Sequence, residues 1–363
     1  MTDQPDQKPI QQPPEEEQTP WKQGEKPQRH QRGGAHRNAS PAPILFVGGT
    51  GRSGTHIVSA LLGRTRGYAL IPVECRFHVE RRGFPGLLAG EVTKKQFIKR
   101  LRGFWWKGFQ TNRFRGLYRF VDREVFDAAV ERFDAAFDSD HEAACRQLFF
   151  DLLWPRVEAG NAKGMIEQSC DVVAAAPTLV KLFPEAKFIH VARDGRDASA
   201  SRVRQTRGLI YPRTRRQGLE WWEGRIRAID RGARAISPEN YLEIGLDDLL
   251  TKGRRRRLKR VTRFAGVFPG RFTMRYMNRR MSAEAANKER WRRGVSPSRQ
   301  ADIEQRYLDV LARLESDAIT SAGLLRTSLN RAASGKDLEP FSVQIHGPGG
   351  KAEAEGQANG DDV

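Results

Sequence analysis

A short glycine-rich segment near residue 50 combines residue types that could bind a phosphate or sulfate group. It reads Gly51-Arg52-Ser53-Gly54-Thr55-His56 and follows four apolar residues, 44–47. Residues 55–64 carry apolar side chains at helical spacing, so the pattern predicts a strand, a tight loop and a helix. Such a loop directs backbone N–H groups and the positive end of a helix towards one point. We therefore expect an anion-binding loop here.

The loop departs from the ATP-binding pattern at two positions. G-x-x-x-x-G-K-[ST], started at Gly49, places Gly54 correctly, but Thr55 and His56 occupy the positions of the Lys and the Ser or Thr. The positive charge lies instead on Arg52, inside the loop, where its guanidinium suits a bound oxyanion. A nucleoside triphosphate with magnesium is therefore not the first expectation for this loop.

Two further polar groups follow predicted strands. Arg193 comes directly after the apolar strand 187–192, and Glu74 after the strand 68–73. Strands that alternate with helices predict an α/β fold, a parallel β-sheet flanked by helices on both faces. Ligands of such sheets bind beyond the carboxyl ends of the strands, where the loop, Glu74 and Arg193 are all expected.

The remaining predicted elements complete this alternation. A helix starts at Thr93 with a Thr-x-x-Gln capping box, and a second box is expected at Ser139. The other predicted strands are 165–166 and 241–245, and the other predicted helices are 121–137, 140–157, 177–183, 216–236, 247–266 and 298–324.

Composition limits the class of protein. Residues 1–42 and 334–363 are poor in apolar residues, so we expect two disordered tails around one domain, 43–333. The formal net charge is +19; the first tail is neutral and the second carries −4, so the central residues carry +23. Three cysteines without paired spacing argue against a disulfide scaffold or a structural metal. Without a long apolar run or a signal peptide's apolar segment, we expect no transmembrane segment and a cytoplasmic location.

Two separated motifs resemble one family, the PAPS-dependent sulfotransferases, where PAPS is 3′-phosphoadenosine 5′-phosphosulfate. Gly51-Arg52-Ser53-Gly54-Thr55 is similar to the family's 5′-phosphosulfate loop, and Arg193 with Ser201 eight residues later is similar to its 3′-phosphate motif. The phrase at residues 183–197 and the Arg-Trp-Arg-Arg-Gly segment at 290–294 extend the resemblance. It implies a P-loop NTPase or nucleoside-kinase-like sulfotransferase fold, with PAPS as sulfuryl donor and no metal.

The resemblance also implies roles for single residues. The cofactor-binding set is Gly51, Arg52, Ser53, Gly54, Thr55, His56, Arg193 and Ser201. Arg52 would stabilise charge during transfer, and Glu74 would be the general base, with His78 as the rival candidate. Arg290, with Arg292 and Arg293, would close over the 3′-phosphate and the adenine. One departure is Gln168, which stands where family members often carry a Lys.

Several alternatives remain open at this point. The acceptor could be a small molecule, a lipid or a carbohydrate, and oligomeric state is not indicated. A P-loop kinase-like phosphotransferase and a non-catalytic polyanion-binding protein are the other candidate functions. The basic run 254–260 could bind a polyanion, but a solvated helix face is the simpler interpretation, and no nucleic acid partner is expected.

Overall fold

A five-stranded parallel sheet organises the chain. The computed structural model describes residues 43–108, 116–207, 209–251, 253–282 and 288–333, and the two predicted tails lie outside the described residues. The strands lie in the order β2-β3-β1-β4-β5, and each pairs in parallel with its neighbours, as predicted. Their bounds are β1 Ile44–Gly49, β2 Tyr68–Leu70, β3 Gly164–Glu167, β4 Lys187–Ala192 and β5 Tyr241–Gly245.

The central strand β1 is apolar because both of its faces are covered. Ile44 and Phe46 belong to the core on one face, and Leu45 and Val47 to the core on the other. All four are at most 1% exposed. A continuous apolar run is typical of a parallel strand between two helical layers. The strand therefore holds the loop that follows it at the middle of the sheet edge.

Twelve helices surround the sheet in the described residues. α1, α9 and α10 contribute to one core, α2 to α6 to the opposite core, and α7, α8, α11 and α12 to a third cluster around Trp222 and Tyr307. None of these described helices combines the length and apolar composition of a membrane span. Their bounds are α1 Thr55–Leu62, α2 Phe84–Leu88, α3 Lys94–Arg100, α4 Arg123–Ala136, α5 His141–Ala159, α6 Ala176–Leu182, α7 Gly195–Thr206, α8 Arg215–Ala233, α9 Arg254–Phe264, α10 Arg271–Arg280, α11 Pro297–Ser316 and α12 Ser321–Ala333.

The structure corrects several predicted boundaries. The predicted helix 298–324 is two helices, α11 and α12, because Ala318 between them adopts a left-handed φ of 53°. Gly253, with φ 82°, similarly separates α9 from a short turn at Asp247–Leu249, so the predicted helix 247–266 was wrong. The Thr93 capping box is confirmed, whereas α5 is capped by Asp140 and not by a box at Ser139.

Candidate functional site

The loop between β1 and α1 has the backbone conformation of an anion site. Gly51, Arg52 and Gly54 all have positive φ, at 80°, 63° and 94°. No side chain caps α1 among the described residues, since Gly54 occupies its N-cap. The N–H groups of the first helical turn are therefore available to a ligand, at the positive end of the helix dipole. A left-handed φ at Arg52 is the kind of local strain that clusters at ligand sites.

Glycine is required where the loop leaves the strand. A methyl group on Gly49 would lie 2.2 Å from Ser53 Oγ and 2.7 Å from the Val191 carbonyl oxygen. The Gly49 N–H donates to the Cys170 carbonyl at 2.9 Å, which ties the loop to the segment after β3. Ser53 is fully buried, so its hydroxyl is not open to a ligand and only its backbone could bind one.

The two predicted phosphate motifs meet at this loop. Arg52 Nε donates to Ser201 Oγ at 3.0 Å, and Arg193 Nη1 donates to the Arg52 carbonyl at 2.8 Å. Arg193 follows β4, and Ser201 lies in the second turn of α7, so the parallel sheet brings both beside the end of β1. Residues separated by about 140 positions in sequence therefore form one cluster of hydrogen-bond donors.

Arg290 approaches the same cluster from the segment before α11. Burial lowers the pKa of its guanidinium, and the nearby charges of Arg204, Arg293, Arg193 and Arg52 lower it further. Its Nε atom is buried without a hydrogen-bond partner among the described residues. A buried, unsatisfied cationic donor beside other arginines fits a site built for an anion.

Asp197 attaches the Arg290 segment to α7. Its carboxylate accepts from the Glu289 N–H at 2.9 Å and from the Trp291 N–H at 3.2 Å. Burial and the neighbouring Asp194 raise the pKa of Asp197 to about 6, although the charge of Arg193 and these two N–H groups oppose the change. Asp197 thus links this segment to the start of α7, 3.9 Å from the Arg193 guanidinium.

Glu74 lies on the other side of the loop; the predicted strand 68–73 is shorter, since β2 ends at Leu70, so Glu74 belongs to the segment after the strand and does not directly follow it. His56 Nε2 is 3.2 Å from Glu74 Oε1, and the Cys170 thiol donates to the same oxygen at 3.4 Å. Burial raises the pKa of the Glu74 carboxyl, but the hydrogen bond and charge of His56, the charge of Arg76 and the thiol together hold that pKa below its ordinary value. The Glu74 side chain is 24% exposed, so the carboxylate is held in place and still accessible.

His78 and Gln168 lie away from this surface. His78 is fully buried against Phe46 and Phe149, with Nε2 3.0 Å from a Glu167 oxygen but without hydrogen-bond angles. The Gln168 amide donates to the Ile71 carbonyl at 3.1 Å and is also buried. Neither side chain reaches solvent beside the loop.

Sequence reasoning missed two participants, Cys170 and Arg202, and the side-chain role of His56. The side chain of His56 contacts Glu74, whereas only its backbone was expected to matter, and the Cys170 thiol contacts the same carboxylate. Arg202 lies near Arg52 and Arg76, since burial and these two charges lower the pKa of its guanidinium. The signals were present, because Cys170 follows the end of β3 and Arg202 follows Ser201. Among the described residues, no group of His, Cys, Asp and Glu could hold a metal ion.

Comparison with known proteins gives a family match. The model of the sulfotransferase family matches residues 43–268, more than half of the chain. No curated protein matches significantly.

Three similar solved structures are each at most 16% identical to this chain. The sulfotransferase domain of the Synechococcus olefin synthase is 16% identical, with 74% of this chain and 93% of that chain covered and a TM-score of 0.44. A sulfotransferase of Mycobacterium tuberculosis is 12% identical, with coverages of 74% and 77% and a TM-score of 0.42. One from Alicyclobacillus acidocaldarius is 14% identical, with coverages of 77% and 95% and a TM-score of 0.40. The family match over more than half of the sequence establishes that this chain belongs to the sulfotransferase family.

Proposed function

We propose that the protein transfers a sulfuryl group from PAPS to a hydroxyl or amine of an acceptor. The observation that carries this proposal is the contact between the two phosphate motifs, Arg52 with Ser201 at 3.0 Å and Arg193 with the Arg52 carbonyl at 2.8 Å. A donor with phosphates at both its 5′ and 3′ positions needs two adjoining anion sites. The loop and the Arg193 cluster supply two such sites on one edge of the sheet.

The loop residues bind the 5′ side in this proposal. When bound, PAPS would supply an activated sulfuryl group, whose S–O bond to phosphate breaks as an S–O bond to an acceptor hydroxyl, or an S–N bond to an acceptor amine, forms. Arg52 and the N–H groups of residues 53 to 56 neutralise the negative charge that develops on the departing phosphate oxygen. Preorganised donors of this kind stabilise the transition state without having to reorganise during the reaction.

Arg193, Ser201 and Arg290 bind the 3′-phosphate. Ser201 Oγ accepts from Arg52, which leaves the Ser201 proton as a donor to a phosphate oxygen. The unsatisfied Nε of Arg290 gains a partner in the same phosphate. A bound phosphate would balance the positive charges of Arg290, Arg193 and Arg52, which lie close together.

Glu74 accepts the acceptor's proton. A base must be deprotonated at working pH and accessible, and Glu74 meets both conditions because its pKa is low and a quarter of its side chain is exposed. His78 is fully buried, so it is not accessible to an acceptor. Arg52 and Arg202 supply the positive charge that the family Lys would have supplied at Gln168.

Isothermal titration calorimetry with the full chain tests the donor. We expect adenosine 3′,5′-bisphosphate, the product of transfer, to bind more tightly than ATP with magnesium. The Arg193→Ala variant should bind the bisphosphate roughly ten- to a hundredfold more weakly, because it loses charge-assisted hydrogen bonds. The matched control is Arg123→Ala on α4, whose side chain is 59% exposed and pairs with Asp127.

Two results would overturn the proposal. Tight binding of ATP with magnesium, without bisphosphate binding, would favour a kinase-like enzyme. Salt-dependent binding of a polyanion that survives both Arg52→Ala and Arg193→Ala, together with no bisphosphate binding, would favour a non-catalytic polyanion-binding protein.

A further inference from the structure

Two consecutive helices give the protein a strongly basic surface that the proposed site does not use. Between Gly253 and Arg280, all of which the structure describes, there are eleven Arg or Lys residues and no Asp or Glu. Nine of the eleven are exposed. We call the exposed sides of α9 and α10, with the turn between them, the basic face.

The opposite sides of these helices are firmly packed. Leu258, Val261 and Met277 are at most 1% exposed and belong to the core beneath α1 and β5. The two half-buried arginines are satisfied at this inner side, Arg257 by Asp248 at 3.0 Å and Arg254 by Asn278 at 3.0 Å. The basic face is therefore the outer surface of two well-anchored helices and has a fixed shape.

Two phenylalanines protrude where α9 connects to α10. Phe268 is 91% exposed and Phe272 is 54% exposed. The turn around them is held in place, since Val267 packs on the core and Lys187 Nζ donates to the Phe264 carbonyl at 2.8 Å. Large aromatic rings held out from a basic surface are costly in water and gain free energy by entering an apolar medium.

We propose that the basic face docks on an anionic lipid bilayer. The arginines and lysines are attracted to negatively charged headgroups, and each such residue near the surface contributes to binding. Phe268 and Phe272 enter the boundary between headgroups and acyl chains, as apolar side chains of interfacial helices do. Charge and apolar insertion thus act at the same place on the protein.

The two rings favour a bilayer over a nucleic acid. A ring that stacks on bases is normally packed on one side and presents the other, whereas Phe268 has almost no protein contact. One side of Phe272 is occupied by the Arg271 guanidinium, 4.8 Å from the ring centroid. These rings are placed to insert and not to stack.

Docking leaves the candidate site open to solution. Phe264 is bonded to Lys187, the first residue of β4, whereas Arg193 follows the last residue of that strand. The turn that carries Phe268 therefore lies near the edge of the sheet opposite the loop and Arg193. Docking uses only the basic face and does not depend on the proposed function.

Vesicle co-sedimentation of the full chain tests the proposal. We expect binding to phosphatidylcholine vesicles that contain about 30% phosphatidylserine and little binding to phosphatidylcholine alone. The Arg256→Ala/Arg260→Ala variant should lose roughly tenfold or more in partitioning, since each removed charge weakens attraction to the surface. Its matched control is Lys95→Ala/Lys99→Ala, which removes the same charge from exposed i, i+4 positions of α3 on the other face of the sheet.

The aromatic variant distinguishes a bilayer from other polyanions. Phe268→Ala/Phe272→Ala should reduce vesicle binding several-fold while leaving the thermal unfolding temperature unchanged, because both rings are exposed. Three results would overturn the proposal. The first is no binding to anionic vesicles, and the second is an equal loss of vesicle binding in the α9 and α3 charge variants. The third is binding to duplex DNA or RNA that exceeds vesicle binding and is unchanged by Phe268→Ala/Phe272→Ala.

Discussion

Replacement of Glu74 should reduce turnover without weakening binding of the bisphosphate. The Glu74→Gln variant keeps the size of the side chain and a hydrogen-bonding group for His56 but cannot take a proton. We expect turnover to fall roughly a hundredfold or more, as for loss of a general base, with bisphosphate affinity nearly unchanged. A radiolabelled PAPS assay and calorimetry on the same preparation give the two readouts.

The pH profile gives an independent check on Glu74. Because its pKa lies below the ordinary value of about 4.3, the carboxylate is already formed at neutral pH, and activity should decline only on acidification through that low pKa. Glu91→Gln, an exposed partner of Arg81, is the control and should retain activity. Near-normal turnover of Glu74→Gln would remove Glu74 from the role of base.

Asp197 should make stability depend on pH in the opposite sense from most acidic residues. Its folded pKa of about 6 lies above the ordinary value, so the folded state binds the proton more tightly than the unfolded state. The stabilisation of the folded state that this tighter proton binding provides is fully present below about pH 4 and is lost as pH rises through about 6. Between pH 5 and pH 8 the ionisation of Asp197 should therefore lower the free energy of unfolding of the wild type by about 1.4 kcal/mol.

Urea unfolding of the wild type and of Asp197→Asn between pH 5 and pH 8 measures the contribution of Asp197 as a difference in the free energy of unfolding. The free energy of unfolding of Asp197→Asn should rise relative to the wild type between pH 5 and pH 8. Asp302→Asn in α11 is the control, because the pKa of Asp302 is lowered by Arg306 and lies below this range. If the difference in the free energy of unfolding between Asp197→Asn and the wild type stayed constant across this range, the pKa of Asp197 would not be raised in the folded state.

At the scale of elements, the close approach of β1, β4 and the loop makes Gly49 a critical position. Gly49→Ala would place a methyl group 2.7 Å from the Val191 carbonyl, a backbone atom that cannot move aside alone. Overpacking of this kind typically costs about 1–3 kcal/mol, and the displaced loop should also bind the bisphosphate more weakly. Thermal unfolding and calorimetry measure the two losses.

Gly224→Ala in α8 is the matched substitution. A methyl group there meets no atom within 4 Å, so the change should stabilise the helix by about 0.5–1 kcal/mol. Equal effects of the two substitutions would mean that the loop does not need glycine at position 49.

The sheet and the clustering of Arg52, Arg193 and Ser201 could be predicted from the sequence because each depends on local patterns and one topological rule. Apolar runs identified the strands, and parallel pairing then placed the loop, Glu74 and Arg193 on one edge. The direction of side chains could not be predicted in this way. The contacts of His56 and Cys170 with Glu74, and the burial of His78, depend on packing between elements distant in sequence.

The missed helix boundaries have a similar cause. Ala318 takes a left-handed φ although alanine favours helix, because the chain must turn so that α12 can dock. Asp230 on α8 holds that turn, accepting from the Thr320 N–H at 3.0 Å and from its hydroxyl at 2.9 Å. Tertiary contacts thus override local propensity at a place that periodicity alone treats as continuous helix.

At the scale of the whole molecule, the net charge of +19 acts on any anion that approaches. In the candidate site the Arg193 side chain is only 10% exposed, whereas nine basic residues of the basic face are exposed, so the two surfaces should respond differently to salt. At physiological ionic strength the screening length is about 8 Å, so exposed charges farther than this from a ligand attract it only weakly. Contacts between buried groups are screened much less. Long-range attraction should therefore govern how fast the bisphosphate arrives, and the contact with the largely enclosed Arg193 should govern how long it stays.

This division predicts the salt dependence of bisphosphate kinetics. In stopped-flow experiments between about 20 mM and about 300 mM salt, the association rate constant should fall several-fold while the dissociation rate constant changes little. Arg193→Ala should instead raise the dissociation rate constant and keep the wild-type salt dependence of association, because one charge among many barely alters the overall field. If salt acted mainly on dissociation in the wild type, the donor contacts would have to be solvent-exposed, contrary to a side chain of Arg193 that is only 10% exposed.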